Sequence, residues 1–279
     1  MTLTPTADAA PRRPSPASAV ARNARPPRPS AFAAARVFAW RAWLRIRHAP
    51  EQLNDVIAVP IIFTLMFTYL FGGALAGSVH RYLQFLLPGT LVMAVLLATM
   101  YTGVNLNTDL AKGVYDRFRT LPVWRPAPIV GALLGDAVRY LLASTLVVGL
   151  GVALGFRPHG GVVGAALGIA LVVAFASALS WVFCWLGLVL RSPNAVTSLA
   201  LLVLFPLTMA SNTFVDPRTM PAALRAIVNA NPVTHLVTAT RDAMAGTLGA
   251  AQLAATLGTA ALTTAVFALL TLRAYRRKN

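Results

Sequence analysis

Six stretches of the chain, near residues 56–76, 88–108, 128–154, 163–189, 196–215 and 250–272, stay apolar over the roughly 20 residues that a helix needs to cross hydrocarbon. A backbone inside lipid must satisfy its own N–H and C=O groups, so runs of this length read as transmembrane helices. The fold class expected is therefore an all-α integral membrane protein. Composition agrees, since a chain of 279 residues that is 57% hydrophobic and 11% charged has too little polar surface for a water-soluble body of its size. A formal charge of +16 would suggest nucleic acid in a soluble protein, but here the basic residues lie between the apolar runs instead of on a polar domain. No nucleic-acid partner is expected.

Those basic residues orient the chain. Nine fall in residues 1–55, four between Asp109 and Ala127, one at Arg191 and four from Arg273 onward, which puts 18 on one side of the layer. Arg81, Arg157, Arg218, Arg225 and Arg241 fall on the other, and Arg139 lies within a span. Six crossings alternate correctly between the two sets, so both termini are expected in the cytoplasm of a bacterial cell, the protein being multi-pass in its cytoplasmic membrane. Residues 1–30, with seven prolines and five arginines, read as a disordered cytoplasmic tail. Residues 31–50 carry Trp40, Trp43 and Leu44 on one side and Arg41 and Arg45 on another, the pattern of an interfacial helix or of a lead-in to the first span. A transmembrane domain then occupies 51–279.

Within the spans, glycines recur four apart at Gly131 and Gly135, at Gly151 and Gly155, and at Gly160, Gly164 and Gly168, a spacing that lets helix backbones approach closely in lipid. Pro60 and Pro206 are expected to kink the first and fifth spans or to mark uneven ends. Asp136 and Arg139, three apart near the cytoplasmic end of the third span, read as a structural salt pair. Tyr101, Asn105, Asn107 and Thr108 make the cytoplasmic half of the second span polar, either as a substrate route or as hydrogen-bond donors to neighbouring helices. Cys184, the sole cysteine, reads as a small buried hydrophobe.

Two segments outside the spans are informative. From Asp109 to Pro128 the apolar residues Leu110, Val114, Phe118 and Leu121 recur at near-helical spacing, with Asp109, Lys112, Asp116, Arg117 and Arg119 on the other faces. A short amphipathic helix is expected, with Lys112 and Asp116 at ion-pair spacing and Pro122 limiting it. It either lies at the headgroups or docks into a cleft on a cytoplasmic partner. From Ser211 to Gly246 the chain is too polar for a simple span and too apolar for a free loop. Pro217, Pro221 and Pro232 cut it into pieces of the size of re-entrant or interfacial helices, which either close a pathway or cap the bundle.

No catalytic apparatus is evident. Neither Lys112 nor Lys278 follows a glycine, so a phosphate-binding P-loop is excluded. A G-x-S-x-G elbow, a H-E-x-x-H zinc site and paired intramembrane acids are missing from the sequence, and the four histidines are scattered. Neither catalytic residues nor a metal site is expected.

In this setting the chain resembles the membrane permease subunit of type-2 ATP-binding-cassette exporters, in particular the daunorubicin-resistance group, over about residues 35–275. The residues that carry the resemblance are Asp109, Gly113, Asp116-Arg117-Phe118-Arg119 and Leu121-Pro122; the turn Leu190-Arg191-Ser192-Pro193; and Phe205-Pro206 leading through Ser211, Phe214-Val215 and Met220-Pro221 to Asn231-Pro232-Val233-Thr234. The resemblance implies a six-helix half-transporter that pairs with a second permease chain, identical or related, in membrane lipid. A separate ATPase subunit would bind ATP and Mg, this chain binding no cofactor. Asp109, Lys112, Gly113, Asp116, Arg117, Phe118, Arg119, Leu121 and Pro122 would then form a coupling helix on that ATPase. Tyr101, Asn105 and Asn107 would border the substrate route, and Ser211, Asn212, Phe214, Asn231 and Pro232 the outer gate. The expected cargo is an amphipathic drug, lipid or natural product, because the spans offer few charges. A glycan-export permease, or a membrane enzyme or scaffold using the basic loop to hold anionic lipid, are the competing readings.

Overall fold

A computed structural model describes residues 36, 37, 40, 44, 50–114 and 126–277, and all the regular structure among them is helical. Eight α-helices follow in order: α1 Pro50–Ala76, α2 Val79–Ala111, α3 Ala127–Ala153, α4 Gly161–Val189, α5 Pro193–Met209, α6 Ala222–Ala230, α7 Pro232–Ala245 and α8 Ala250–Arg277, with a 3-10 turn at Pro217–Thr219. Among the described residues α2, α3, α4 and α8 are long and apolar enough to cross a bilayer, whereas the stretches Pro60–Ala74 of α1 and Pro193–Met209 of α5 are shorter. Each of the six apolar runs thus falls on a helix. The helices continue through Pro60 and Pro206, and also through Pro88 in α2.

Helix ends are set by local chemistry. The Ser78 hydroxyl accepts from the Arg81 amide to start α2, and Ser192, followed by Pro193, does the same for α5 through the Ala195 amide. Asn231, followed by Pro232, caps α7 by accepting from the Val233 amide at 2.9 Å. At the other end of α7, Gly246 takes φ +80° and the Thr247 amide reaches the Asp242 carbonyl, a left-handed stop that only glycine makes without strain.

The helix α2 is the axis of the bundle. It packs against α1, α3, α4, α5 and α7, while α4 carries α8 on its far side. The main core joins Leu83, Leu87, Leu91 and Val95 of α2 to Tyr140 and Val147 of α3, Val172 and Phe175 of α4, and Val233, Leu236 and Val237 of α7. With few hydrophobic gains available between helices in lipid, close approach matters most. A Cβ on Gly187 would lie 2.5 Å from the Gly103 carbonyl oxygen, and one on Gly103 would meet the Phe183 carbonyl, so α2 and α4 touch backbone to backbone. The glycine row Gly160, Gly164 and Gly168 serves α7 in the same way, with a Cβ on Gly164 falling 2.6 Å from the Ala243 carbonyl oxygen. Gly151 leaves room for Leu87, whereas Gly155 lies beyond α3 at φ +102° and turns the chain instead of packing a helix.

Three expectations need correction. The fifth apolar run does not continue to residue 215, because α5 stops at Met209 and the chain from Ser211 to Val215 is non-helical. Its 17 residues span roughly 25 Å, less than the hydrocarbon layer. Ser211 supports the stop by donating to the Thr208 carbonyl at 2.6 Å. Second, Asp109, Leu110 and Ala111 are the last turn of α2, not the start of a separate helix, and Gly113 at φ +65° interrupts any single helix from Asp109 to Leu121. Third, Asp136 and Arg139 sit at the middle of the 27-residue α3, with Arg139 roughly 18 Å from its first residue.

Candidate functional site

The upper end of the bundle, where α2 begins and α3 ends, and the lower end, where α2 ends and α3 begins, are built differently. In the middle, Arg139 donates from a guanidinium that is 1% exposed to Asp136 at 3.0 Å and to the Ala98 carbonyl of α2 at 3.1 Å. The other Asp136 oxygen accepts from Thr102 at 2.6 Å, Thr102 meets the Tyr140 hydroxyl at 3.0 Å, and Tyr140 meets Ser180 at 2.7 Å. Thr102 gives its proton to the carboxylate, and Ser180 gives its own to the Ala176 carbonyl at 2.8 Å. The predicted ion pair is thus one part of a polar knot joining α2, α3 and α4. A buried pair is stable only when its remaining hydrogen-bonding capacity is filled; Thr102 fills part of the carboxylate's, while the Arg139 Nε is buried without a hydrogen-bond partner among the described residues.

The α2 turn from Ala98 to Thr102 serves both that knot and an apolar groove. The groove encloses about 330 Å³ between α1, α2 and α5, lined by Pro60 and Phe63, by Met93, Leu97 and Tyr101, and by Phe205. Thr208 and Met209 close its upper end, directly below the break. Tyr101, predicted for the substrate route, is on this wall, with the Arg139 guanidinium 5.8 Å from its ring centre. The other two predicted route residues are elsewhere. Asn107 is buried and donates to the Gly187 and Leu190 carbonyls at 2.9 and 2.8 Å, which ties α2 to the end of α4, and Asn105 is half-buried outside the groove lining. Trp181 and Trp185 do not line the groove: Trp181 packs on the cluster of Leu106, Ile129, Cys184, Leu188 and Tyr275, and Trp185 meets Phe267 of α8 edge-on.

Above the groove, four of the five residues predicted for the outer gate come together. Helix α5 leaves carbonyls without intrahelical partners at its end. Asn231 supplies one amide to both Leu207 and Ala210 at 2.7 Å, so the residue that starts α7 also finishes α5. Asn212 donates to Thr238 at 2.8 Å, Ser211 contacts Thr213 at 2.8 Å, and the Phe214 carbonyl accepts from the Tyr82 hydroxyl at 3.0 Å. The Phe214 ring packs on Phe67 with centres 4.5 Å apart. Thr213 is fully buried against Gly89, where any Cβ would come within 2.9 Å. Pro232 faces the opposite way, into a small hollow with Phe175, His235 and Thr256.

Arg241 completes this end. It reaches from α7 to the Phe85 carbonyl at 3.1 Å and the Asn212 carbonyl at 3.2 Å, and lies 4.0 Å from the Phe85 ring centre. Loss of water around the guanidinium pushes it down to about 10, opposed by the nearby carboxylates of Asp242 and Asp216, so it stays charged at neutral pH. Sequence reasoning counted it as an outer-loop charge. A signal was present, because it stands in a stretch whose Val233, Leu236, Val237 and Met244 repeat at helical spacing. Beside it a cleft of about 460 Å³ opens between Arg81, Tyr82, Phe85, Phe214, Asp216 and Thr219.

Of the residues predicted to couple, Asp109, Lys112 and Gly113 lie at the lower end of α2, with Lys112 exposed. Asp116, Arg117, Phe118, Arg119, Leu121 and Pro122 lie outside the described residues.

Residues 33–245 match the family model described as ABC-2 type transporter. The chain is 49% identical over 255 residues, covering 91% of itself and 90% of the relative, to the daunorubicin resistance ABC transporter permease protein DrrB1 of Streptomyces coeruleorubidus. It is 29% identical over 174 residues, 56% of this chain and 59% of the relative, to the doxorubicin resistance ABC transporter permease protein DrrB of Mycobacterium tuberculosis. A probable doxorubicin resistance permease of the same organism, DrrC, is 23% identical over 192 residues, 68% of this chain and 69% of the relative. Helices long and apolar enough for a bilayer, together with a family match over most of its length, make this chain a member of the ABC-2 type transporter family.

Proposed function

We propose that the chain is the membrane-spanning subunit of an ATP-driven exporter that moves an amphipathic, aromatic drug-like cargo out across the bacterial cytoplasmic membrane. The carrying observation is the apolar groove of about 330 Å³ between α1, α2 and α5, which ends under the hydrogen-bonded break that follows Met209. Its volume and lining are those of a small-molecule site. The relatives are resistance permeases for daunorubicin and doxorubicin, and a flat ring system of that class suits a wall of Phe63, Tyr101 and Phe205. A glycan cargo would also favour aromatics along the route, and of Tyr101, Trp181 and Trp185 the groove lining holds Tyr101.

In this reading α1 to α5 and α8 are six crossings, with the lower end and both termini in the cytoplasm. Lys112, Arg191, Arg273 and Arg276 at the lower end support that orientation. A second copy or a related chain completes the pathway. A separate ATPase subunit carries ATP and Mg and docks on Asp109–Pro122, so this chain hydrolyses nothing itself. Helix α7 starts beside Phe175, halfway along α4, and climbs to Gly160, which supports a re-entrant pair α6–α7 dipping from outside. Ser211, Asn212, Phe214 and Asn231 form the outer gate.

The test is reconstitution of the chain with its copurifying ATPase in liposomes. ATP hydrolysis should rise with an anthracycline, and Leu201→Trp, which puts a bulky ring on the α5 wall of the groove, should remove that rise. Arg117→Ala or Phe118→Ala should uncouple hydrolysis from transport. A chain that copurifies with no P-loop ATPase, or variants that transport normally, would refute the reading.

A further inference from the structure

Arg241 touches all three elements that meet at the upper end: α2 through Phe85, the broken segment through Asn212, and α7, on which it sits. All of its hydrogen bonds go to backbone carbonyls. A cation held by carbonyls and one ring face is fixed less firmly than one in a bidentate pair with a carboxylate. Such an arrangement holds one geometry while leaving the charge open to a better partner. That partner is near. Asp216 borders the adjoining cleft, which Phe85 also lines, and one of its oxygens accepts only the Arg218 amide at 2.9 Å.

The pin is also placed where a small movement has a large effect. The Phe85 carbonyl belongs to the α2 turn that ends at Gly89, and Gly89 is the seat of the buried Thr213. Releasing Phe85 and Asn212 therefore leaves the 211–215 segment held to α2 by the Tyr82–Phe214 hydrogen bond and the Thr213–Gly89 contact.

We propose that Arg241 is the pin of the upper gate: bonded to the Phe85 and Asn212 carbonyls it holds the gate shut, and on opening it transfers to the Asp216 carboxylate. This rests on the exporter reading for its purpose, but the two-position geometry stands on the contacts alone. Arg241 is thus a positioning residue, and Asp216 the acceptor for the open state.

Thiol labelling tests it on the complex in liposomes, because Cys184 is the sole native cysteine and is buried in the core. A Thr213→Cys substitution places a second thiol under the gate, read with a membrane-impermeant maleimide from outside. Without ATP, adding Arg241→Gln should speed labelling of that thiol at least about tenfold, the scale expected when a charged hydrogen bond is lost, while Cys184 stays protected. Asp216→Asn should do the opposite: no acceleration at rest, and loss of the increase in labelling seen during ATP turnover. An unchanged rate in Arg241→Gln, or an Asp216→Asn variant that labels like Arg241→Gln, would overturn the pin. Should Cys184 become reactive in Arg241→Gln, the core has opened, and Arg241→Lys decides: an intermediate rate is expected, and the original rate refutes the idea. If turnover leaves the parent protein's labelling unchanged, the exporter reading fails, and the resting comparison still judges the pin.

Discussion

The middle and upper parts of the bundle solve one problem, buried polar groups between helices, in two ways. In the middle, Asp136, Arg139, Thr102, Tyr140 and Ser180 bond chiefly to one another, and just below them Gly103 and Gly187 bring two backbones into contact. At the top, Tyr82 and Arg241 donate to backbone carbonyls of a segment that has left helical geometry, beside an open cleft, and Asn231 to carbonyls at the end of α5. The middle groups are held by several helices at once, and the carbonyls they reach, those of Ala98 and Ala176, lie within continuous helix. Carbonyl bonds next to a cleft have alternatives, since water or another residue can replace each donor. The middle is therefore built to transmit movement as a block, and the top to yield.

Breaking the middle should cost most. Asp136→Leu leaves Arg139 charged and buried with one carbonyl partner, and a loss of about 3–5 kcal/mol is expected, read as a large fall in thermal stability in detergent. The double variant Asp136→Leu with Arg139→Met removes both charges and should recover most of that loss. If the single variant were as stable as the parent, the knot would not be what joins α2 to α3. Next comes Gly187→Val. Its Cβ would meet the Gly103 carbonyl, a backbone group that cannot rotate away, so a loss at or above the usual overpacking range of about 1–3 kcal/mol is expected.

The upper end should respond differently. Asn231→Ala deprives Leu207, Ala210 and the Val233 amide of partners at once, and about 1–3 kcal/mol is expected. Its larger effect should be on transport per ATP hydrolysed, because α5 and α7 would no longer move together. An Asn231→Ala protein that transports normally but melts as early as Asp136→Leu would reverse the assignment of the two regions.

These two regions were unequally legible in the sequence. The ion pair could be read from its spacing of three, and the short outer helices from Pro217, Pro221 and Pro232, because both signals are local. Thr102 and Ser180 could not be joined to that pair, since they lie 34 and 40 residues from the groups they contact. Arg241 and Phe85 are 156 residues apart, so nothing local marked their contact. Gly103 and Gly187 were missed because each has its close partner on the other helix and none four residues away on its own. The fifth span was read too long because Phe214 and Val215 extend the apolar run past Ser211-Asn212-Thr213, whose side chains in fact let the backbone leave the helix. Of the coupling segment, Asp109, Lys112 and Gly113 are placed and the rest lies outside the described residues.

A matched pair of small substitutions sharpens the comparison furthest, because the same atom is removed from each region. The Tyr140 hydroxyl is fully buried and bridges Thr102 to Ser180, with the carboxylate of Asp136 behind Thr102. Tyr140→Phe removes two buried contacts and leaves Thr102 on Asp136 and Ser180 on the Ala176 carbonyl, so about 1–3 kcal/mol should be lost, the net worth of two hydrogen bonds. The Tyr82 hydroxyl ends on a single carbonyl, that of Phe214, and its ring lines the open cleft, so water can take over the bond. Tyr82→Phe should therefore cost about 1 kcal/mol or less while speeding maleimide labelling of Thr213→Cys. Thermal melting and labelling measured on both variants give opposite rank orders if the middle is the rigid block and the top the yielding end. Equal losses of stability with no change in labelling would show that the two polar regions are mechanically the same.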